Sequence, residues 1–324
     1  MTASARVTIA AVVTLILTAV TVFYIRHAVA RSTPIPPVAT TEAATGRGIL
    51  VRSTAPGSRN RVMRVSLADH SAAPTSLTCS RVYASGGTTV CLRPEGALGT
   101  YQVAVLDARP HQTKVFSLAG LPNRARVSAD GRMVAWTVFV TGDSYDSSTF
   151  STRAGIFDTR TGELTVTLED FAVTGGDGLT TAPDRNFWGI TFDADDDHFY
   201  ATMSTGGHRY LVAGDLAVRT VRILRDNVEC PSLSPDGTRL AFKEAVGGDP
   251  AHGWRLSVLD LSTQRVTHLA ETRSVDDQAM WLDRQTLAYA IIRPWGHADV
   301  WSAAADGSGT PKLLAAEADS PSPA

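Results

Sequence analysis

The chain has 324 residues, 44% of them hydrophobic, enough for a large buried core in one big domain or two ordinary ones. Its formal net charge is -2, and residues 1–31 carry three arginines and no acid, which leaves 27 basic against 32 acidic residues beyond them. A mildly acidic body excludes a nucleic-acid surface, which needs a basic stripe, and 26 glycines among many strand-formers indicate turn-rich β-structure.

Residues 1–6 form a short flank. Residues 7–25, VTIAAVVTLILTAVTVFYI, are uncharged and bounded by Arg6 and Arg26. As a helix this stretch approaches the hydrocarbon thickness of a bilayer, so a single-pass transmembrane anchor is one reading. A cleaved signal segment is the other, since Ala28-Val29-Ala30 is a small-x-small cleavage pattern. Charge flanks both ends and does not orient the segment. Both readings place the remainder outside the cytoplasm, at the cell membrane or secreted after cleavage at Ala30. Residues 26–46, with Pro34, Pro36 and Pro37 among threonine and alanine, read as a stiff linker. The folded part is expected over 47–324.

That part repeats. A degenerate fragment occupies 48–69, GILVRST then VMRVSLAD. Next comes 77–118, where Cys79 and Cys91 flank SRVYASGGTTV. A hairpin centred on Ser85 would set the two cysteines face to face for a disulfide, implying an oxidising compartment; two buried free thiols are the other reading. The copy at 124–168 holds Ser128-Ala129-Asp130-Gly131 before an apolar strand, and the copy at 187–224 carries an acidic turn at Asp195–Asp197 instead. The clearest copy, 228–269, has Ser234-Pro235-Asp236-Gly237, then TRLAF, then WRLSVLD. The last is 278–315. Proline presets φ at the first corner of such a turn and glycine tolerates positive φ. Aspartates close the third strand of each copy at 107, 158, 215, 260 and 306, spaced by 51, 57, 45 and 46 residues.

Five copies of a strand–turn–strand unit plus an N-terminal fragment predict an all-β fold, a six-bladed β-propeller of four-stranded blades, preceded by the N-terminal helix. Such a ring closes by completing one blade from both chain ends, with 48–54 joining the C-terminal tail. Two packed β-sandwiches would show the same alternation but do not require a repeated phrase of this length.

The phrase SPDG-x-x-LAF followed by L-x-VLDL resembles the repeat of TolB-like β-propellers over about 48–324. The order Cys79…Cys91, NFWG at 186–189, ECPSLSPDG at 229–237 and ETRSVDDQ at 271–278 is similar to an actinobacterial group of these proteins with a signal or anchor segment. The resemblance implies an extracytoplasmic propeller that binds other proteins through its rim and channel; it implies fold and location more than activity.

Chemistry-bearing residues are sparse. No G-x-S-x-G elbow, H-x-x-x-H pair, Walker loop or G-x-G-x-x-G fingerprint occurs, so neither a catalytic residue nor a metal or other cofactor is expected. Asp193, Asp195 and Asp197 have the spacing of a calcium loop, but His198 stands where such a loop needs glycine, so an acidic turn is the plainer reading. Glu271, Arg273, Asp276 and Asp277 form the densest charged patch, on the loop entering the last copy. In repeat register Arg185, Asn186 and Trp188 precede an equivalent strand, so Arg185, Asn186, Trp188, Arg273, Asp276 and Asp277 are expected to share one binding face. The loops 141–153, 173–186 and 244–254 are expected to add contacts, with Tyr145, Phe150, Trp188, Trp254 and Trp295 as aromatic anchors. The expected function is non-enzymatic binding, as a monomer, of a protein or cell-envelope component. The alternative is a small-molecule hydrolase or lyase at the channel mouth using Asp276 and Asp277.

Overall fold

The computed structural model describes residues 13–15, 17–22, 47–96, 99–140, 151–175 and 182–324. Residues 13–15 and 17–22 are helical and exposed. Thr18 and Thr21 each donate to a carbonyl one turn back, Thr14 O and Leu17 O, at 2.8 Å, which makes the hydroxyls compatible with an apolar helix. The remainder of 7–25, the flank 1–6 and the linker 26–46 lie outside the described residues. Among the described residues no helix is long and apolar enough to cross a membrane.

The described residues between 47 and 324 form six sheets arranged as a ring. Blade I takes β1 (Gly48–Ser53), β2 (Arg61–Ser66) and β3 (Ala72–Thr78). Blade II is β4 (Arg81–Ser85), β5 (Thr88–Glu95), β6 (Thr100–Leu106) and β7 (Gln112–Leu118). Blade III is β8 (Leu121–Val127), β9 (Met133–Val140), β10 (Ser151–Asp158) and β11 (Leu164–Thr165). A short β12 (Ala172–Thr174) precedes blade IV, which is β13 (Asn186–Phe192), β14 (His198–Thr205), β15 (His208–Asp215) and β16 (Thr220–Asp226). Blade V is β17 (Glu229–Leu233), β18 (Arg239–Ala245), β19 (Trp254–Asp260) and β20 (Val266–His268). Blade VI is β21 (Met280–Trp281), β22 (Thr286–Arg293), β23 (His297–Ala304) and β24 (Lys312–Ala315). The last strand, β25 (Ala318–Pro323), pairs antiparallel with β1 and supplies blade I with its inner strand, so the two chain ends close the ring.

The first strand of each blade lies innermost, and β25, β4, β8, β13, β17 and β21 contact one another in turn around a central channel. Middle strands are sandwiched between blades. Accordingly β9, MVAWTVFV, is apolar and buried along most of its length instead of alternating. Outer strands such as β3 are largely exposed. The core is divided among the seams. Val90, Val103 and Val105 of blade II meet Val134, Trp136 and Phe157 of blade III. Met133 and Ile156 of blade III meet Phe187, Phe199 and Met203 of blade IV. Equivalent clusters fill the other four seams.

Three details differ from the expectation. Blade I is no fragment: residues 72–78 are its outer strand, not the start of the next hairpin. That hairpin pairs Val82 with Cys91 and turns on Gly86-Gly87, not on Ser85. Both glycines have positive φ, 54° and 81°, which a two-residue hairpin turn demands. Cys79 therefore sits before β4, not opposite Cys91, and it still bonds Cys91 because the chain bends there from blade I into blade II (Cα–Cα 5.4 Å). Blade IV carries a fifth strand: β12 adds parallel to the outer edge of β16.

The repeated turn phrase has a physical cause. In both copies the serine hydroxyl donates to the aspartate two residues on (Ser128–Asp130 2.7 Å, Ser234–Asp236 2.6 Å) and accepts an amide five residues on (Met133, Arg239). The aspartate accepts the amide beyond the glycine. The aspartates ending third strands act likewise; Asp260 Oδ1 accepts the Ser262 and Thr263 amides at 3.0 and 2.8 Å.

Candidate functional site: the entry rim and channel mouth

Each blade alternates strand direction, so the ring has two unlike rims. Connections into the inner strands, and those between second and third strands, open on one side, here called the entry rim. The SADG and SPDG turns and the Asp-headed turns open on the other, and β1 also starts there. Arg185, Arg273, Asp276 and Asp277 all lie on connections of the entry rim, and Asn186 begins an inner strand there. The described parts of the loops 141–153, 173–186 and 244–254 share that rim; Tyr145 and Phe150 lie outside the described residues.

Most of these side chains are already engaged. The Arg185 guanidinium donates to the carbonyls of Ala182, Phe171 and Glu169, tying its own loop. The Asn186 side chain accepts the Thr152 amide at 2.8 Å and donates to Asp184 O. Trp188 is 3% exposed, so its ring packs inside. Arg273 forms a two-point pair with Glu271 (2.9 and 2.6 Å) and covers the Trp301 ring at 3.9 Å. Tyr289 also donates to Glu271, at 2.9 Å. Burial alone would raise the Glu271 carboxyl, but Arg273 and these bonds hold it below the usual range.

Asp276 and Asp277 point to different tasks. The Asp276 side chain is 53% exposed, and it pairs with Lys243 Nζ at 2.5 Å and Arg124 at 3.5 Å. Burial opposes its ionisation, and the two cations outweigh it. Asp277 accepts the Ala290 amide at 2.9 Å. Burial pushes its carboxyl up against the pull of Arg124 and that amide.

Sequence reasoning missed the groups around them, because they come from inner strands of different blades. Arg81 (β4), Arg124 and Arg126 (β8), with Asn123, Asp277 and Gln278, line a small recess of about 20 Å³ in the channel. Asp319 on β25 bonds Arg52 at 2.6 Å and Arg81 at 3.1 Å, joining blades I and II. Lys243 also bonds Glu229 at 3.0 Å, which pairs in turn with Arg209 at 2.5 Å. Gln278 donates to Ile190 O and Pro231 O, bridging to two other inner strands. One sequence signal existed: aligned on their turns, Ser85 and Ser128, Arg81 and Arg124 occupy the same strand position.

Of the aromatic anchors, Trp254 is half-buried and faces Lys243 at 4.0 Å, whereas Trp295 is 92% exposed at the tip of the β22–β23 connection, near Ile292 at 57%. On the opposite rim Asp195 is taken up by its own turn, accepting the Asp197 and His198 amides and meeting the His198 ring at 2.6 Å. Among the described residues no three His, Cys, Asp or Glu are grouped to hold a metal ion.

No family model matches the chain, and no curated protein matches it in sequence. Solved structures do match in shape. TolB from Acinetobacter baumannii aligns at TM-score 0.63 and 17% identity, over 86% of this chain and 66% of TolB. A nidogen/laminin complex gives TM-score 0.50 at 14% identity, over 79% of this chain and 89% of the matched one. A puromycin-hydrolysing peptidase of Mycobacterium tuberculosis gives 0.51 at 17%, over 87% of this chain and 44% of the peptidase. The fold is a TolB-like β-propeller. The chain spans about two thirds of TolB and under half of the peptidase.

Proposed function

We propose that this chain is a non-enzymatic, extracytoplasmic propeller that binds a protein or cell-envelope component on its entry rim, as a monomer, at the membrane surface or in secreted form. The observation that carries this reading is Trp295. A tryptophan exposed to 92% is unusual in a soluble surface, and here it is held out on a short turn in a left-handed conformation, φ 64°. Exposed tryptophans on rigid turns are typical anchors of protein interfaces. Strand direction adds support: β1 starts on the opposite rim, so a tether through residues 7–25 would leave the entry rim facing away from the membrane. The Cys79–Cys91 disulfide fits an oxidising compartment. TolB and the nidogen/laminin complex supply propellers of this shape, without identifying a partner here.

The carboxylates at the channel mouth support binding over acid–base chemistry. Glu271 and Asp276 are held in their charged form by Arg273, Lys243 and Arg124. Arg273 and Asp277 both bond structural groups, so substituting them would disturb the fold along with any binding. Trp295→Ala, with Ile292→Ser, is the cleaner probe. Cross-linking in intact cells followed by affinity capture should recover a defined partner from the wild type and lose about tenfold or more of it with the double variant, at an unchanged melting temperature. Equal capture by both proteins would refute the entry-rim reading.

One observation favours the second reading, a hydrolase or lyase at the channel mouth. Burial pushes the Asp277 carboxyl up, the direction a general acid requires. Turnover of a lactone or glycoside that Asp277→Asn abolishes, without a captured partner, would establish it.

A further inference from the structure

The channel holds a cation without a counterion. Arg126 is 4% exposed and lines the recess. Its guanidinium donates to Ala279 O at 3.1 Å and stacks 4.4 Å from the centre of the Tyr83 ring, while its Nε is buried with no hydrogen-bond partner. Among the described residues no carboxylate pairs with it. A buried charge without an opposite charge is costly. The neighbours do not supply one. Asp319 is shared by Arg52 and Arg81, Asp276 is taken by Lys243 and Arg124, and Asp277 accepts the Ala290 amide. Arg124 too has a buried Nε without a partner. Among the described residues the linked groups thus number six cations, Arg52, Arg81, Arg124, Arg126, Lys243 and Arg209, against four carboxylates, Asp276, Asp277, Asp319 and Glu229.

We propose that this recess is a binding site for a small oxyanion, a carboxylate or phosphate group of a soluble ligand, held by Arg126 with Arg81 and Arg124. Arginine's planar fork suits both groups through paired N–H donors. Asn123 and Gln278 also stand on the wall, fixed by bonds to Arg124 and to the Ile190 and Pro231 carbonyls. The recess itself has room for about one water-sized group, about 20 Å³, so it takes the charged head of the ligand and leaves the remainder in the open channel. The site is separate from Trp295 and does not depend on a protein partner, so it stands or falls independently of the reading above.

Titration calorimetry of the full chain at low salt, with succinate, inorganic phosphate and uncharged erythritol, tests it. The expected result is binding of succinate or phosphate but not erythritol. Arg126→Gln should weaken it about tenfold or more, the loss of one charge-assisted contact, and Arg126→Lys should retain part of it. Binding of succinate alone assigns a carboxylate ligand, and of phosphate alone a phosphorylated one. Arg126 is buried, so its glutamine variant could fail to fold; Arg81→Gln, at a side chain 25% exposed, then serves and should weaken binding several-fold. No binding of either anion at about 10 mM, equal binding of erythritol, or unchanged affinity in the variants that fold would overturn the proposal.

Discussion

Glu169 shows how one residue can carry a measurable signature away from the channel. It sits on the connection between blades III and IV, where Thr167 donates to its Oε2 while its Oε1 is buried without a partner. Burial raises its pKa from 4.5 to about 7, against smaller opposing pulls from backbone amides and Arg153. The sign follows from linkage. Between pH 4.5 and 7 the folded chain keeps a proton that the unfolded chain releases, so stability falls as pH rises through that window and stays reduced above it. The cost at pH 8 is about 1–3 kcal/mol. Glu169→Gln should therefore raise the denaturation midpoint at pH 8, change little at pH 4, and flatten the difference between the two. Urea titrations of both proteins across that range read it directly; an identical pH slope in wild type and variant would refute the assignment.

At the scale of elements, stability resides in turns and seams. The Cys79–Cys91 bond closes a separation of 12 residues and pins the passage from β3 into blade II, inside the apolar seam of Val62, Val82, Ala104 and Leu106. Closing a loop of this length contributes about 2–3 kcal/mol. Changing both cysteines to serine should lower the unfolding free energy by that amount, and dithiothreitol should destabilise the wild type but not the variant; equal sensitivity to reductant would refute it. The blades were legible in sequence because their signals are local. A serine and an aspartate two residues apart organise the first turn, a lone aspartate organises the second, and each leaves a residue pattern that repeats. The candidate site was legible only in part. Asp276 and Asp277 stood out as adjacent charges, whereas Arg81, Arg126, Lys243 and Asp319 are single charges in otherwise ordinary strands. Their meeting is a product of ring closure, which no local pattern records. Trp188 read as an anchor because it lies beside the rim in register, yet β13 is buried at every residue after Asn186, so Trp188 lies inside. Blade I looked degenerate because its inner strand comes from the far end of the chain and its outer strand, AAPTSLT, has no apolar alternation.

At the scale of the whole molecule, one strand ties the chain's end into the ring. β25 pairs with β1 and packs against β4 and β21, and Asp319 is one of its polar links, bonded to Arg52 of blade I and Arg81 of blade II. Asp319 is 8% exposed, and its partners' side chains are 14% and 25% exposed, so water screens these pairs little. Burial alone would raise its carboxyl, but Arg52 and Arg81 hold it below the ordinary range. The sign here is opposite to that of Glu169: the contribution is complete above the unfolded carboxylate pKa and is lost as pH falls through the lower folded value. Asp319→Ala would leave two guanidiniums uncompensated and should cost about 3–5 kcal/mol. Because the pair spans the closure, the loss should begin as local opening. Amide exchange should rise first in β25 and β1, leaving blades III to V protected until global unfolding. An opened ring also exposes the β1 edge, which is a template for pairing with other chains, so the variant should aggregate at concentrations where the wild type does not. Uniform loss of protection across all six blades would mean that the ring unfolds as a unit and that closure is held by the apolar seams instead of by Asp319.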